Sequence, residues 1–174
     1  MRHGETTWNR AGRLQGAMDA PLTARGVAQA HKLAVLVRSL PGRRFCSPQG
    51  RAQATADIAF GPGFTTDERL REIGIGAFAG LLLTDLRRDH PHLFTNDLSW
   101  YDRCPDGEGF EALARRCRSF LGDLDGPAVI LTHGITLRML RLLVLGLPMD
   151  RISDGDAGQG RVHLLRGGRE YLLE

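Results

Sequence analysis

Two histidines in this chain are each followed by glycine, His3-Gly4 and His133-Gly134. An imidazole can act as nucleophile or proton carrier near neutral pH. A glycine after the histidine lets the main chain approach a bound group closely, and a helix starting there turns its free amides toward negative charge. Two histidines so placed together suit phosphate. Either histidine alone would carry no such reading, because neutral imidazoles are readily satisfied inside a folded chain.

Such residues act only if secondary structure aims them. Val27, Ala30, Ala34, Val37 and Leu40 follow Thr23 at helical spacing, which predicts an amphipathic helix over 23–40 with Thr23 as its cap. Phe45-Cys46 reads as a short buried strand, and Ser47-Pro48 as the cap and first turn of a helix near 50–60. Phe110, Leu113, Ala114, Cys117, Phe120, Leu121 and Leu124 share one face of a helix over 109–124. The run Ala128–Leu131 has the continuous apolar character of a strand covered on both faces, and an apolar helix follows Thr132-His133-Gly134 to about Leu145. The C-terminal end alternates as an edge hairpin that turns at Gly167-Gly168. Alternating strands and helices predict a three-layer α/β/α domain with a mostly parallel central sheet. Ligands of such sheets collect beyond the carboxyl ends of the strands, where His3 and His133 both fall.

The 174 residues suit one domain, and Cys46, Cys104 and Cys117 lack the spacing of a zinc site or the even count of a disulfide framework. They read as buried, reduced thiols in a cytoplasmic protein. No apolar run approaches the length of a membrane span and no signal-peptide pattern opens the chain, so no membrane association is expected. The net charge of +3 is scattered and only 6% of residues are aromatic, which argues against nucleic-acid binding. His90-Pro91-His92 lacks a third clustered ligand, so it is not read as a metal site. The expected partner is a small phosphorylated metabolite, and the oligomeric state is left open, a homodimer included.

Arg2-His3-Gly4-Glu5-Thr6-Thr7-Trp8-Asn9 closely resembles the signature of the histidine phosphatase superfamily, also called phosphoglycerate mutase-like. The resemblance continues in order through Arg13-Leu14-Gln15-Gly16, Pro21-Leu22-Thr23, Ser47-Pro48 with Arg51-Ala52 and Leu70-Arg71-Glu72. It ends with Pro105, Gly107-Glu108 and Thr132-His133-Gly134, so it spans nearly the whole chain. It implies that His3 is the nucleophile that becomes phosphohistidine, with one ring nitrogen bare and the other held as a donor. Nearby arginines help to keep that ring neutral. The resemblance further implies that Arg2 and Arg51 clamp the phosphate, that His133 donates to the transferring phosphoryl oxygens, and that Glu72 moves the proton. Asn9, Gln15 and Gly16 fall among the family's substrate-side contacts, and Thr132 near its supporting hydrogen bonds. Asp19, Asp106 and Glu108 are read as turn or helix-start residues. Two arginines and two histidines supply positive charge enough that neither metal nor cofactor is expected.

Two departures from the pattern stand out. The family carries a hydrophobic strand before its Arg-His-Gly, where this chain has only Met1, so the single domain over 1–174 is expected to lack its first strand upstream of Met1. Gly76-Ala77-Phe78-Ala79-Gly80 places Ala79 where many relatives have a polar side chain, which bears on specificity. Mutases of the family are typically longer and enclose their substrates, so the expected reaction is hydrolysis of small phosphomonoesters without metal. Phosphoglycerate mutase-type transfer is the alternative, and a non-catalytic binding domain a more distant one. Residues that choose the substrate are expected in the weakly patterned segment 81–104.

Overall fold

The computed structural model describes residues 1–94 and 97–174; Thr95 and Asn96, inside the segment expected to choose the substrate, lie outside the described residues. In chain order the elements are α1 (Thr7–Arg10), α2 (Ala24–Val37), β1 (Arg43–Cys46), α3 (Gly50–Phe60), β2 (Thr65–Thr66), α4 (Leu83–Asp89), α5 (Gly109–Gly122), β3 (Ala128–Leu131) and α6 (Gly134–Leu145). The hairpin β4 (Val162–Arg166) and β5 (Arg169–Leu173) follows, and short 3-10 turns join several of the elements.

The central sheet runs β2-β1-β3 and is parallel throughout, with Phe45 opposite Ile130 and Cys46 opposite Leu131. Residues Met1–His3 lie along the other edge of β3: Met1 N donates to Ile130 O, Thr132 N to Met1 O and His3 N to Thr132 O, each at 2.9 Å. Both faces of the sheet are covered. Leu33 and Val37 of α2 and Ala52 and Ala56 of α3 pack with Val129 and Leu131 on one face. On the other, Leu113 and Phe120 of α5 and Ile135 and Met139 of α6 pack with Phe45, Ala128 and Ile130. This is the three-layer α/β/α arrangement that the alternation predicts.

The predicted stripe on α5 is the buried one, and Phe120 meets Phe45 edge-on with ring centroids 5.3 Å apart. Each large side chain so buried contributes roughly 2 kcal/mol. That burial holds a helix that starts at glycine, whose first-turn amide of Phe110 is met by Asp102 Oδ1 rather than by the N-cap residue Glu108.

Four local expectations need correction. The buried face of α2 is Gly26, Ala30, Leu33 and Val37: Ala30 and Val37 are buried as predicted, but Gly26 and Leu33 are buried in place of Val27 and Ala34, because the Glu5 main chain rests directly on Gly26. A β-carbon on Gly26 would meet Glu5 O at 2.1 Å, so no side chain fits between them. The same helix ends at Val37 rather than 40, since Pro41 disfavours helical geometry in the residue before it. Ser47 does not cap α3: its N-cap position is Gln49, and the first amides are met by Asp19 from a distant loop. Finally, the C-terminal hairpin is a separate two-stranded sheet, with an apolar cavity of about 350 Å³ lined by residues of both β3 and β4.

All three cysteines are buried and unpaired, and burial raises the thiols of Cys46 and Cys117 to about 12. No described helix is long and apolar enough to cross a membrane, and the described residues contain no cluster of three metal-ligating side chains.

Candidate active site

The carboxyl ends of β1 and β3 and the third residue of the chain converge on one point, and His3 sits there almost wholly buried. Its Nδ1 lies 2.7 Å from Gly4 O. A carbonyl only accepts, so Nδ1 carries the proton and Nε2 is bare. Arg51 Nε donates toward that bare nitrogen at 3.3 Å. Burial first, and then the charges of Arg2 and Arg51, hold the imidazole well below its usual pKa, against the opposing hydrogen bond to Gly4. The ring is therefore neutral at pH 7, with a lone pair pointing at guanidinium groups.

Gly4 permits this position. A β-carbon there would lie 2.4 Å from Gly26 O, so the segment after His3 packs main chain against main chain on α2. Gly4 N donates to Thr55 Oγ1 at 3.1 Å, and Glu5 N to Gln29 Oε1 at 2.8 Å, which fixes the strand end to α3 and α2.

Arg51 is buried and held on several sides. Its Nη1 donates to Met18 O at 2.7 Å and pairs with Asp19 Oδ1 at 2.8 Å, while Nη2 donates to Gly16 O at 2.9 Å. The Asp19 carboxylate also accepts from the amides of Gly50 and Arg51, so one side chain caps α3 and anchors its arginine. Burial lowers the Arg51 pKa, and Glu72 and Asp19 oppose that shift. Arg2 Nη1 donates to Ala157 O at 3.3 Å, and its Nε is buried without a partner among the described residues.

Glu72 closes the site from the start of α6. Its Oε1 accepts from Ile73 N at 3.0 Å, Thr136 N at 3.0 Å and Thr136 Oγ1 at 3.1 Å, whereas Oε2 has only Ile135 N at 3.2 Å. His133, at the N-cap of α6, is fully buried, its ring centroid 5.1 Å from that of His3. Burial, with Arg51, His3 and Arg2 adding to it, lowers its pKa well below the usual value.

Of the eight residues singled out in the sequence, Arg2, His3, Asn9, Gln15, Gly16, Arg51 and Glu72 all line one cavity of about 70 Å³. His133 lies beneath it. Asn9 Oδ1 accepts from Thr6 N in a capping box and from Gln159 Nε2, and Gln15 Oε1 is buried without a partner among the described residues. Gly16 acts through its carbonyl, which holds both Arg51 and Gln49 Nε2. Thr132 Oγ1 donates to Leu70 O at 2.6 Å, a tie that positions the segment before Glu72. Glu108 accepts from Gly74 N and pairs with Arg116, so it braces the chain beyond Glu72 rather than capping its own helix.

Four lining residues were not singled out in the sequence: the apolar Leu14 and Ile75 and the polar Arg13 and Tyr101. Arg13 donates through Nη1 to Gly80 O and lies with its guanidinium 5.5 Å from the Trp8 ring centre. Tyr101 stacks on Trp100 at 3.7 Å between centroids, and burial raises its phenol pKa, so it stays neutral. Arg13 stands in the recognised Arg-Leu-Gln-Gly run and was discoverable by its charge. Tyr101 lies in a segment whose sequence shows no periodicity.

Residues 1–171 match the family model of the histidine phosphatase superfamily (branch 1). The chain is 36% identical over 159 residues to the probable phosphoglycerate mutase GpmB of Yersinia pestis strain Pestoides F, covering 85% of this chain and 74% of that protein. Among solved structures, Bacillus stearothermophilus YhfR superposes with a TM-score of 0.81 at 31% identity, over 98% of this chain and 92% of that one. A mycobacterial glucosyl-3-phosphoglycerate phosphatase, solved with VO3, gives 0.80 at 30% identity over 92% and 87%. The alpha-ribazole phosphatase of Shigella flexneri gives 0.81 at 25% identity over 99% and 92%.

Proposed function

The chain belongs to branch 1 of the histidine phosphatase superfamily, and on that footing we propose that it hydrolyses small phosphomonoesters through a phosphohistidine on His3. The observation that carries this reading is the His3 ring itself, with Nδ1 tied to Gly4 O and a bare Nε2 facing Arg51.

In the first half-reaction the Nε2 lone pair attacks phosphorus as the ester P–O bond breaks, and Glu72 gives a proton to the departing alkoxide. Arg2 and Arg51 pair with the phosphoryl oxygens as charge spreads over them. In the second, water attacks the phosphohistidine, Glu72 takes its proton, the P–N bond breaks, and inorganic phosphate leaves. Glu72 Oε2, with a single amide contact, is the oxygen free to handle that proton. Every charge required is supplied by side chains, so the reaction needs no metal.

Hydrolysis is favoured over transfer because a cleft of about 660 Å³ shares the walls Leu14 and Tyr101 with the anion pocket and leaves room for water. Phosphoglycerate mutase activity is the second reading, supported by the name of the Yersinia relative. The test is phosphate release from simple monoesters in the presence of chelator, with trapping of an acid-labile phosphoprotein by a denaturing alkaline quench. Turnover and trapping are both expected to vanish in His3→Ala, and activity that survives that change ends the reading. Faster interconversion of phosphoglycerates than phosphate release would select the mutase.

A further inference from the structure

Hydrogen-bond accounting around His133 decides which of its nitrogens carries the proton. Nε2 lies 2.7 Å from Ser47 Oγ, and Nδ1 has no partner among the described residues although the side chain is wholly buried. Ser47 is equally buried, and its Oγ already accepts from Gln49 N at 3.3 Å. Among the described residues, the acceptor within reach of its hydroxyl proton is His133 Nε2.

The two tautomers differ in what they leave unmet. With the proton on Nε2, that N–H donates to Ser47, and both the serine hydrogen and the Nδ1 lone pair go without partners. With the proton on Nδ1, Ser47 donates to Nε2 and one group is unmet, the Nδ1–H itself. Unmet buried polar groups are costly, so the second arrangement is favoured. The group it leaves unmet is a donor, which is what an anion needs.

We propose that Ser47 is a positioning residue whose hydroxyl holds His133 in the Nδ1–H tautomer, so that this N–H is offered to the phosphoryl group on His3. The inference rests on His3 being the nucleophile. The backbone sets the alignment: Ser47 N donates to Leu131 O at 3.0 Å, so the residue after β1 is pinned beside the strand that leads into Thr132-His133. The two imidazoles lie with centroids 5.1 Å apart and planes tilted by 56°, so the His133 ring stands beside the ring that would carry phosphate. Freed from helix capping by Asp19, the Ser47 hydroxyl has this bond as its use.

Nitrogen NMR of the full-length protein with labelled imidazoles reads the tautomer directly, the His133 signals being assigned by their loss in His133→Gln. The expected result is a protonated Nδ1 and a bare Nε2 in the unsubstituted protein, with a shift toward the other tautomer in Ser47→Ala. Removing such supporting contacts typically costs about 10- to 100-fold, so Ser47→Ala is expected to lower kcat by that factor with KM changed less than about threefold. Ser47→Thr, which keeps the hydroxyl, is expected to recover most of the rate. In a His133→Gln background the Ser47→Ala effect is expected to disappear. A protonated Nε2 in the unsubstituted protein overturns the proposal, as does an undiminished Ser47→Ala effect without His133. The NMR signals report the tautomer whatever the reaction, so activity surviving His3→Ala would discredit the proposed chemistry without touching them.

Discussion

Replacing Asp19 by alanine tests how the site is held together, because one carboxylate serves two elements. Its Oδ2 accepts from Gly50 N at 2.7 Å, and its Oδ1 from Arg51 N at 3.1 Å and Arg51 Nη1 at 2.8 Å. Losing a helix cap costs about 1 kcal/mol. The ion pair is lopsided: the Arg51 side chain is 1% exposed, but that of Asp19 is 40% exposed. Water at the aspartate screens the pair, so its loss is nearer about 1 kcal/mol than the roughly 3–5 kcal/mol of a fully enclosed pair. The sum of about 2 kcal/mol corresponds to a Tm lower by roughly 4–8 °C for a chain of this size. Activity should suffer less than in Arg51→Ala, because Met18 O and Gly16 O still grip the guanidinium. Thermal and urea unfolding of the single variants and of the double variant with Arg51→Ala separate the contributions. In the Arg51→Ala background, the Asp19 change should cost only the cap, about 1 kcal/mol. An Asp19→Ala protein melting within a degree of the parent, or an undiminished cost without Arg51, would refute the assignment.

Three further outcomes are expected. His3 and His133 are held neutral in the fold while the unfolded chain takes up their protons below about pH 6.5. Their contribution is therefore intact above that pH and lost as pH falls toward the folded pKa values, by about 1 kcal/mol per unit for each. Urea titrations between pH 7 and 5.5 in phosphate-free buffer should show that slope, reduced by one histidine's share in His3→Ala. Glu72→Gln should slow turnover of alkyl phosphates by roughly 10²- to 10⁴-fold. With p-nitrophenyl phosphate, whose leaving group needs no proton, the same variant should give a burst of nitrophenol equal to the enzyme; its absence argues against Glu72 as the base of the second step. Gly26→Ala should destabilise by about 3 kcal/mol, since its new methyl meets the Glu5 main chain, whereas Gly122→Ala, open to solvent, should stabilise by roughly 0.5 kcal/mol. Urea midpoints compare the two directly.

The periodic elements were legible because burial on one face leaves a repeating mark in the sequence: the stripe on α5 and the apolar run of β3 fall where they were expected. On α2, Ala30 and Val37 were read correctly, but Gly26 was missed because glycines carry no hydrophobic signal, and the contact that orients the helix is made by its main chain. The types and order of the reactive residues were likewise visible, and His3, Arg51 and Glu72 do meet in one cavity.

The sequence by itself determined which chemistry is possible: two imidazoles at the ends of predicted strands, with the two guanidinium groups and one carboxylate that the family resemblance adds. Only the tertiary structure decided how each is held in its working state. Asp19 reaches Arg51 across 32 positions, and Ser47 reaches His133 across 86. Single hydrogen bonds between distant positions leave no period in a sequence, and they come into being only when the elements that carry them lie side by side.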